Sequence, residues 1–293
     1  MRHALALLLL LPGAVLAEDK YQGAHDSFMA RRPFFYQAGA RSQAYPAVEA
    51  LIATKDPRAI MDLAEEIPVS MKADEQVRKR VHAEQQLGNE AVLAASALAK
   101  HIGFLNDKLK AGGADDGELA KKKEERAAAE RTFETVVKNV RDFEARLEYI
   151  AELRHKLATG AVSLSKTLRG DAAVRILPRV RAAFDVRDRE QGLYMLQIIG
   201  ACPDPAAVAQ LIAILEEPKA PRATVRGAAR ALAPRKDPVG TKALIALWRR
   251  SAKRDPDPYG KQIRAALSLA AGQQLADPAA AEKWAVSLPP KGQ

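Results

Sequence analysis

The stretch DPVGTKALIALW, Asp237 to Trp248, sets Leu244 seven residues after an Asp-Pro pair. The same spacing joins Asp56-Pro57 to Leu63, Asp204-Pro205 to Leu211 and Asp277-Pro278 to Trp284. Aspartate is a good helix N-cap because its carboxylate accepts hydrogen bonds from the first free backbone amides. Proline at the next position lacks only a donor that had no partner there. Each Asp-Pro pair therefore predicts a helix start. Seven residues is two turns, so Leu63, Leu211, Leu244 and Trp284 recur at one rotational position and are expected to be core anchors. Asp171 lacks the proline but is expected to start a comparable helix. From it the starts at Asp204, Asp237 and Asp277 follow at steps of 33, 33 and 40 residues. A period of that length is the mark of stacked helical pairs.

Second helices are expected between these starts. REQGLYMLQIIGA (189–201), RATVRGAARALA (222–233) and YGKQIRAALSLAAG (259–272) each gather apolar residues on one face. Short connections containing Pro and Asp separate them from the first helices, which makes neighbours antiparallel. Small residues at Gly227, Ala228, Ala231, Ala265 and Ala266 permit close helix approach. Alanine dominates the composition and no run alternates strictly between apolar and polar, so the expected fold class is all-α.

At this point the chain resembles the HEAT-repeat family. ILPRVRAAFDVRDREQGLYML (176–196) is similar to one HEAT unit, with a leucine-proline step at Leu177-Pro178, an acidic turn at Asp185 and Asp188, and a second helix after it. Val225-Arg226 and Ile263-Arg264 resemble the apolar-arginine step that opens the family's second helix, whereas Gln191 stands where an arginine is expected. The likeness covers residue 171 to about 287, with a partial unit at 43–67, and the segment LAAGQQLADPAAAEKWAVSL (269–288) resembles the closing part of secreted HEAT-repeat proteins. It implies an α-solenoid in which Arg226 and Arg264 pair with turn aspartates, and a protein-binding role. The family's bilin-lyase branch implies an enzyme, but no matching active residues stand here.

Between residues 74 and 158 the pattern changes to heptads. Val81, Ala95, Ile102 and Leu109 fall on one series with Gly88, and Val77, Ala91, Leu98 and Leu105 on the other with Glu84. Beyond the turn GGADDG (112–117), Phe133, Val140 and Leu147 form one series and Val136, Phe143, Ile150 and Leu157 the next. Two such arms joined by a Gly-Asp turn predict an antiparallel coiled-coil hairpin inserted in the array, each arm about 55–60 Å long at ~1.5 Å per residue. The hairpin is either a partner-binding or homodimerisation arm or one that packs only on itself. The charges of KKKEERAAAER (121–131) read as a solvated face.

The first residues, MRHALALLLLLPGAVLA, have the layout of a secretory signal peptide: Arg2, an apolar run from Ala4 to Leu11, and small residues at Ala14 and Ala17. Cleavage after Ala17 is expected to leave Glu18 first, in an exported chain, periplasmic or secreted. No later stretch approaches the ~20 apolar residues of a membrane-spanning helix. Cys202 is the one cysteine, set among apolar residues in IIGACPDP, and reads as an inert buried thiol. The expected organisation is a signal peptide at 1–17, a partial helical pair in 18–73, the hairpin at 74–158 and a basic repeat array at 159–293.

Residues 159–293 carry 22 Lys/Arg against 12 Asp/Glu, while residues 18–158 carry 23 against 24, so the excess of base belongs to the array. A basic helical surface attracts anions such as acidic lipid, polysaccharide or an acidic protein. Lys242, Arg249 and Lys253 lie on one side of their helix, opposite Leu244 and Trp248, and are the candidate binding residues. Aromatic residues do not interleave with these charges, and export also argues against nucleic acid.

No cofactor, metal site or catalytic constellation is expected. The histidines His25, His82, His101 and His155 are scattered, and no nucleophile elbow, phosphate loop or dinucleotide fingerprint is present. Glu65-Glu66 and Glu216-Glu217 are adjacent pairs, which point apart on a helix. The aromatic cluster of FMARRPFFYQAG (28–39) is expected to cover the open end of the first helical pair. The expected function is a non-catalytic scaffold or adaptor for another macromolecule, with binding of anionic envelope components as the alternative.

Overall fold

The computed structural model describes residues 12–112, 116–253 and 259–288. The described residues form eleven α-helices and two short 3-10 turns, with no strand among them, so the fold is all-α. None of these helices is long and apolar enough to cross a membrane. The chain divides into two compact units: residues 1–69 with 153–293, and residues 70–152. Most of the proposed leader, residues 1–11, lies outside the described residues.

The first unit opens with α1 (Pro12–Arg31), a 3-10 turn (Arg32–Phe34) and α2 (Arg41–Ala53). Helices α3 (Ala59–Lys110) and α4 (Asp116–Ser165) are each continuous between the units, so no helix boundary exists at residue 74 or 158. Asp56 stands a full turn ahead of α3, its Oδ1 accepting the Arg58 amide at 2.8 Å and its carboxylate held by the Arg58 side chain. Leu63 is fully buried, as the two-turn spacing requires.

Seven helices complete this unit: α5 (Gly170–Ala183), α6 (Arg189–Ala201), α7 (Ala206–Glu216), α8 (Arg222–Leu232), α9 (Pro238–Ala252), α10 (Gly260–Ala271) and α11 (Pro278–Val286). Each odd-numbered helix packs on the next odd-numbered one, α6 on α8 and α8 on α10, and α5–α6, α7–α8 and α9–α10 pack as pairs. Leu177, Leu211 and Leu244 are fully buried between them. Trp284 is only half buried, because α11 has nine residues and Ala281 is its one buried residue. Asp171 is not a cap but sits within the first turn of α5, which begins at Gly170. Pro178 in mid-α5 removes the amide that would bond the carbonyl of Val174, a residue that is 59% exposed.

Aspartates seal the helix starts. Asp237 Oδ1 accepts the amides of Val239 and Gly240, both at 2.9 Å, Asp188 those of Glu190 and Gln191, and Asp277 that of Ala280. Asp204 does more: Oδ1 takes the Ala206 amide at 2.8 Å and Oδ2 takes the Gly170 amide at 2.7 Å, which joins the start of α7 to the start of α5. Arg264, one of the two arginines expected to pair with a turn aspartate, acts differently. Arg264 Nε donates to the Leu275 carbonyl at 2.9 Å, and it is Arg235 that reaches a neighbouring pair, donating to the carbonyls of Gly200 and Cys202 at 2.9 and 2.6 Å. Those carbonyls end α6, where a cation is favourable. Gln191, in the arginine position, accepts the Asp185 amide at 2.9 Å and so ties the acidic turn without a charge.

The second unit is built from α3 and α4. Asn139 donates to Glu84 at 3.3 Å and His101 lies 3.6 Å from Glu118, which sets the two stretches antiparallel. Val77, Ala91, Leu105, Val136 and Ile150 are buried, and Ile102, Leu105 and Leu119 form one cluster. A Cβ at Gly88 would stand 3.0 Å from Val136, so glycine sets how closely the helices approach there. Phe133, expected inside, is 41% exposed, since Gly88 opposite offers no side chain to cover it.

The two kinds of cap differ in a measurable way. Asp237→Ala is expected to lower stability in urea by about 1 kcal/mol, the cost of a lost N-cap. Asp204→Ala removes the tie to Gly170 as well, and is expected to lower it by about 2 kcal/mol. Equal losses would show that the Gly170 bond contributes nothing.

Candidate functional site

The cap at Asp237 and the proline at N1 fix the start of α9 and with it the rotation of every later side chain. Leu244, Ile245, Leu247 and Trp248 turn inward, and Lys242, Ala246, Arg249 and Arg250 are exposed. Alongside lies α11, whose start is fixed in the same way by Asp277 and Pro278. Between the two helices is a trough of about 820 Å³. Ile245 and Ala246 of α9 face Ala285, Val286 and Leu288 across it, and Lys242, Arg249, Arg250 and Glu282 border it.

Two of the three residues expected at the binding site, Lys242 and Arg249, thus meet at one recess, whereas Lys253 follows the end of α9 outside it. Arg249 donates to Glu282 at 2.5 Å, with both side chains about half exposed, so the pair adds at most about 1 kcal/mol to the α9–α11 contact. Its positive charge is matched. Lys242 and Arg250, also on the border of the trough, make no ion pair with any described residue. The sequence stripe omitted Arg250; its place next to Arg249, four positions beyond Ala246, was the signal that could have found it.

Two further recesses lie on the second-helix side. One of about 740 Å³ is lined by Leu193, Tyr194 and Gln197 of α6 with Arg230 of α8. The next, of about 470 Å³, runs from the same Arg230 to Lys261 and Leu269 of α10. Leu269 is 81% exposed there.

The N-terminal helices hold a polar cluster that sequence reasoning missed. Asp62 and Glu66 stand one turn apart on α3 and therefore share a face. Tyr21 donates to Asp62 Oδ2 at 2.9 Å, His25 Nδ1 lies 3.0 Å from the same oxygen, and the Arg58 guanidinium rests 4.2 Å from the centre of the Tyr21 ring. Tyr36 donates to Glu66 Oε1 at 2.6 Å and Arg32 forms an ion pair with Oε2. Phe28 and Phe35 are fully buried with rings edge to face at 5.2 Å, while Phe34 is 49% exposed, so the aromatic segment covers this end through two rings of its three phenylalanines. These carboxylates are already engaged by side chains from α1 and the turn after it, which makes the cluster a clasp. Burial pushes the pKa of Glu66 up, and the Tyr36 hydrogen bond and Arg32 charge only partly oppose it. Burial and the charge of Asp62 push the Tyr21 hydroxyl up as well.

Cys202 is fully buried and its Sγ lies 3.7 Å from the Leu168 carbonyl. Burial raises its pKa, so the thiol stays protonated at neutral pH.

Because the folded chain holds the Glu66 proton more tightly than the unfolded chain, this group supports folding fully below the ordinary glutamate range. Its contribution is lost as pH rises through the elevated folded-state value. Urea titrations of wild type and Glu66→Gln between about pH 4 and 7 should therefore show the wild type gaining relative to the variant as the solution is acidified. A wild type that instead gains on the variant as pH rises toward neutral would reverse the assignment.

Comparison of the chain with protein-family models, with curated proteins and with solved structures finds no match.

Proposed function

We propose that the chain is an exported, non-catalytic scaffold that holds another macromolecule on a short α-solenoid of HEAT-like pairs, with an antiparallel coiled-coil hairpin inserted near its start. The odd-on-odd and even-on-even packing from α5 to α11 supports the solenoid, and the facing heptads of α3 and α4 support the hairpin. A stacked array suits binding because each added pair lengthens one surface without reorganising the core. The observation that carries the binding role is the trough between α9 and α11, apolar along its floor and bordered by Lys242 and Arg250. Val286 is 86% exposed there, beside two cations that make no ion pair with any described residue.

A photo-crosslinking residue at Ala246 tests this in cells that make the protein. Products are expected from position 246 and not from exposed Arg222 on α8, and they should still form when extracts are irradiated in about 0.5 M salt, where exposed charges are screened beyond a few ångströms. Retention on heparin or acidic lipid that collapses in the same salt, with no product from 246, would favour the anionic-surface alternative. N-terminal sequencing of the exported chain should begin at Glu18, and a chain that keeps residues 1–17 would remove the export proposal.

A further inference from the structure

We infer that the α9–α11 trough seats one more helix, supplied by a partner protein, with an apolar stripe bordered by two carboxylates; this rests on the binding role proposed for the same trough. Within the array, α9 covers one flank of α7, and α11 covers one flank of α9. The coverage is uneven, because α9 has 15 residues and α11 only nine. Along α9, Pro238, Lys242, Ile245, Ala246, Arg249 and Arg250 all line the open side, a ridge some 18 Å long at ~1.5 Å per residue. That is three turns, the length of a typical helix in the array.

The shape favours a helix over other apolar occupants. Ala246 and Ala285 lie on facing walls, and small residues there allow axes to approach within the ~8–10 Å of helix packing. The volume of about 820 Å³ takes a row of large side chains. A flat lipid surface would meet the basic border but leave the recessed Ile245, which is 3% exposed, and the opposite wall unfilled. An extended acidic tail without an apolar stripe would leave Val286 in water.

Charge decides the partner. Arg249 and Glu282 neutralise each other, which leaves Lys242 and Arg250 on the border. A second copy of this trough would oppose like charges, as would any basic helix. The complement is a helix with carboxylates seven or eight residues apart, the spacing that spans Lys242 to Arg250 at ~12 Å.

Two stapled amphipathic peptides of about 18 residues test this, stapled because short helices are marginal in water. They share a leucine stripe and differ only in bearing two Glu or two Lys eight residues apart. In fluorescence anisotropy with the full chain, the Glu peptide should bind at least tenfold more tightly than the Lys peptide. The preference should reverse in the Lys242→Glu/Arg250→Glu variant. Ala246→Trp, which fills the trough from an exposed position, should weaken the Glu peptide about tenfold with an unchanged circular dichroism spectrum. Equal affinity of the two peptides, or a preference untouched by charge reversal, overturns the inference. If neither peptide binds but position 246 still crosslinks to a macromolecule, the binding role stands and the acidic helix is wrong; if both fail, both fall. Phosphatidylglycerol vesicles retained where neither peptide is would assign the trough to a membrane surface instead.

Discussion

A helix of nine to fifteen residues has too few turns to stand alone in water and leaves amides at one end and carbonyls at the other without internal partners. The array from α5 to α11 meets that constraint with groups borrowed across pairs. The Asp204 carboxylate serves the first amides of two helices at once, and the Arg235 guanidinium gathers the last carbonyls of α6 from the turn after α8. Apolar burial at Leu177, Leu211 and Leu244 supplies the attraction between helices; these polar ties fix their register. The two act together, since a slip of one residue along α7 would separate Asp204 from Gly170 while turning Leu211 away from the core.

Much of this was legible in the sequence because it is local. An aspartate two or three residues ahead of the amides it caps depends on nothing distant, and α6 and α9 begin where Asp188 and Asp237 place them. The continuity of α3 was not legible. The onset of heptads suggested a change of element at residue 74, but the backbone ladder of α3 runs through it without a break. Trp284 was misjudged for a different reason: spacing gives the direction of a side chain, not whether anything is packed against it.

The clasp of Asp62 and Glu66 shows the other limit. Tyr36 lies 30 residues and Tyr21 lies 41 residues from the carboxylate it meets, and neither distance matches a repeat. A sequence scan that weighed only the adjacent Glu65 and Glu66 could not find a pair separated by a full turn and completed from another helix. In the trough, Lys242 and Arg249 were visible as a stripe, but the apolar wall opposite them belongs to α11 and the match of Arg249 to Glu282 spans 33 residues. Which cations are spent within the chain and which remain for a ligand is settled by those long-range neighbours.

The backward reach of Asp204 and Arg235 gives the array a direction. Each of these side chains is carried by a later segment and completes an earlier one, so excising a middle pair would strip the pair before it of its end bonds. A shortened version cut after Lys236 would retain every such bond in α5 through α8. Shortening from the C-terminal side therefore keeps the end bonds of α5 and α6 only where the segment that follows them, as far as Arg235, is kept.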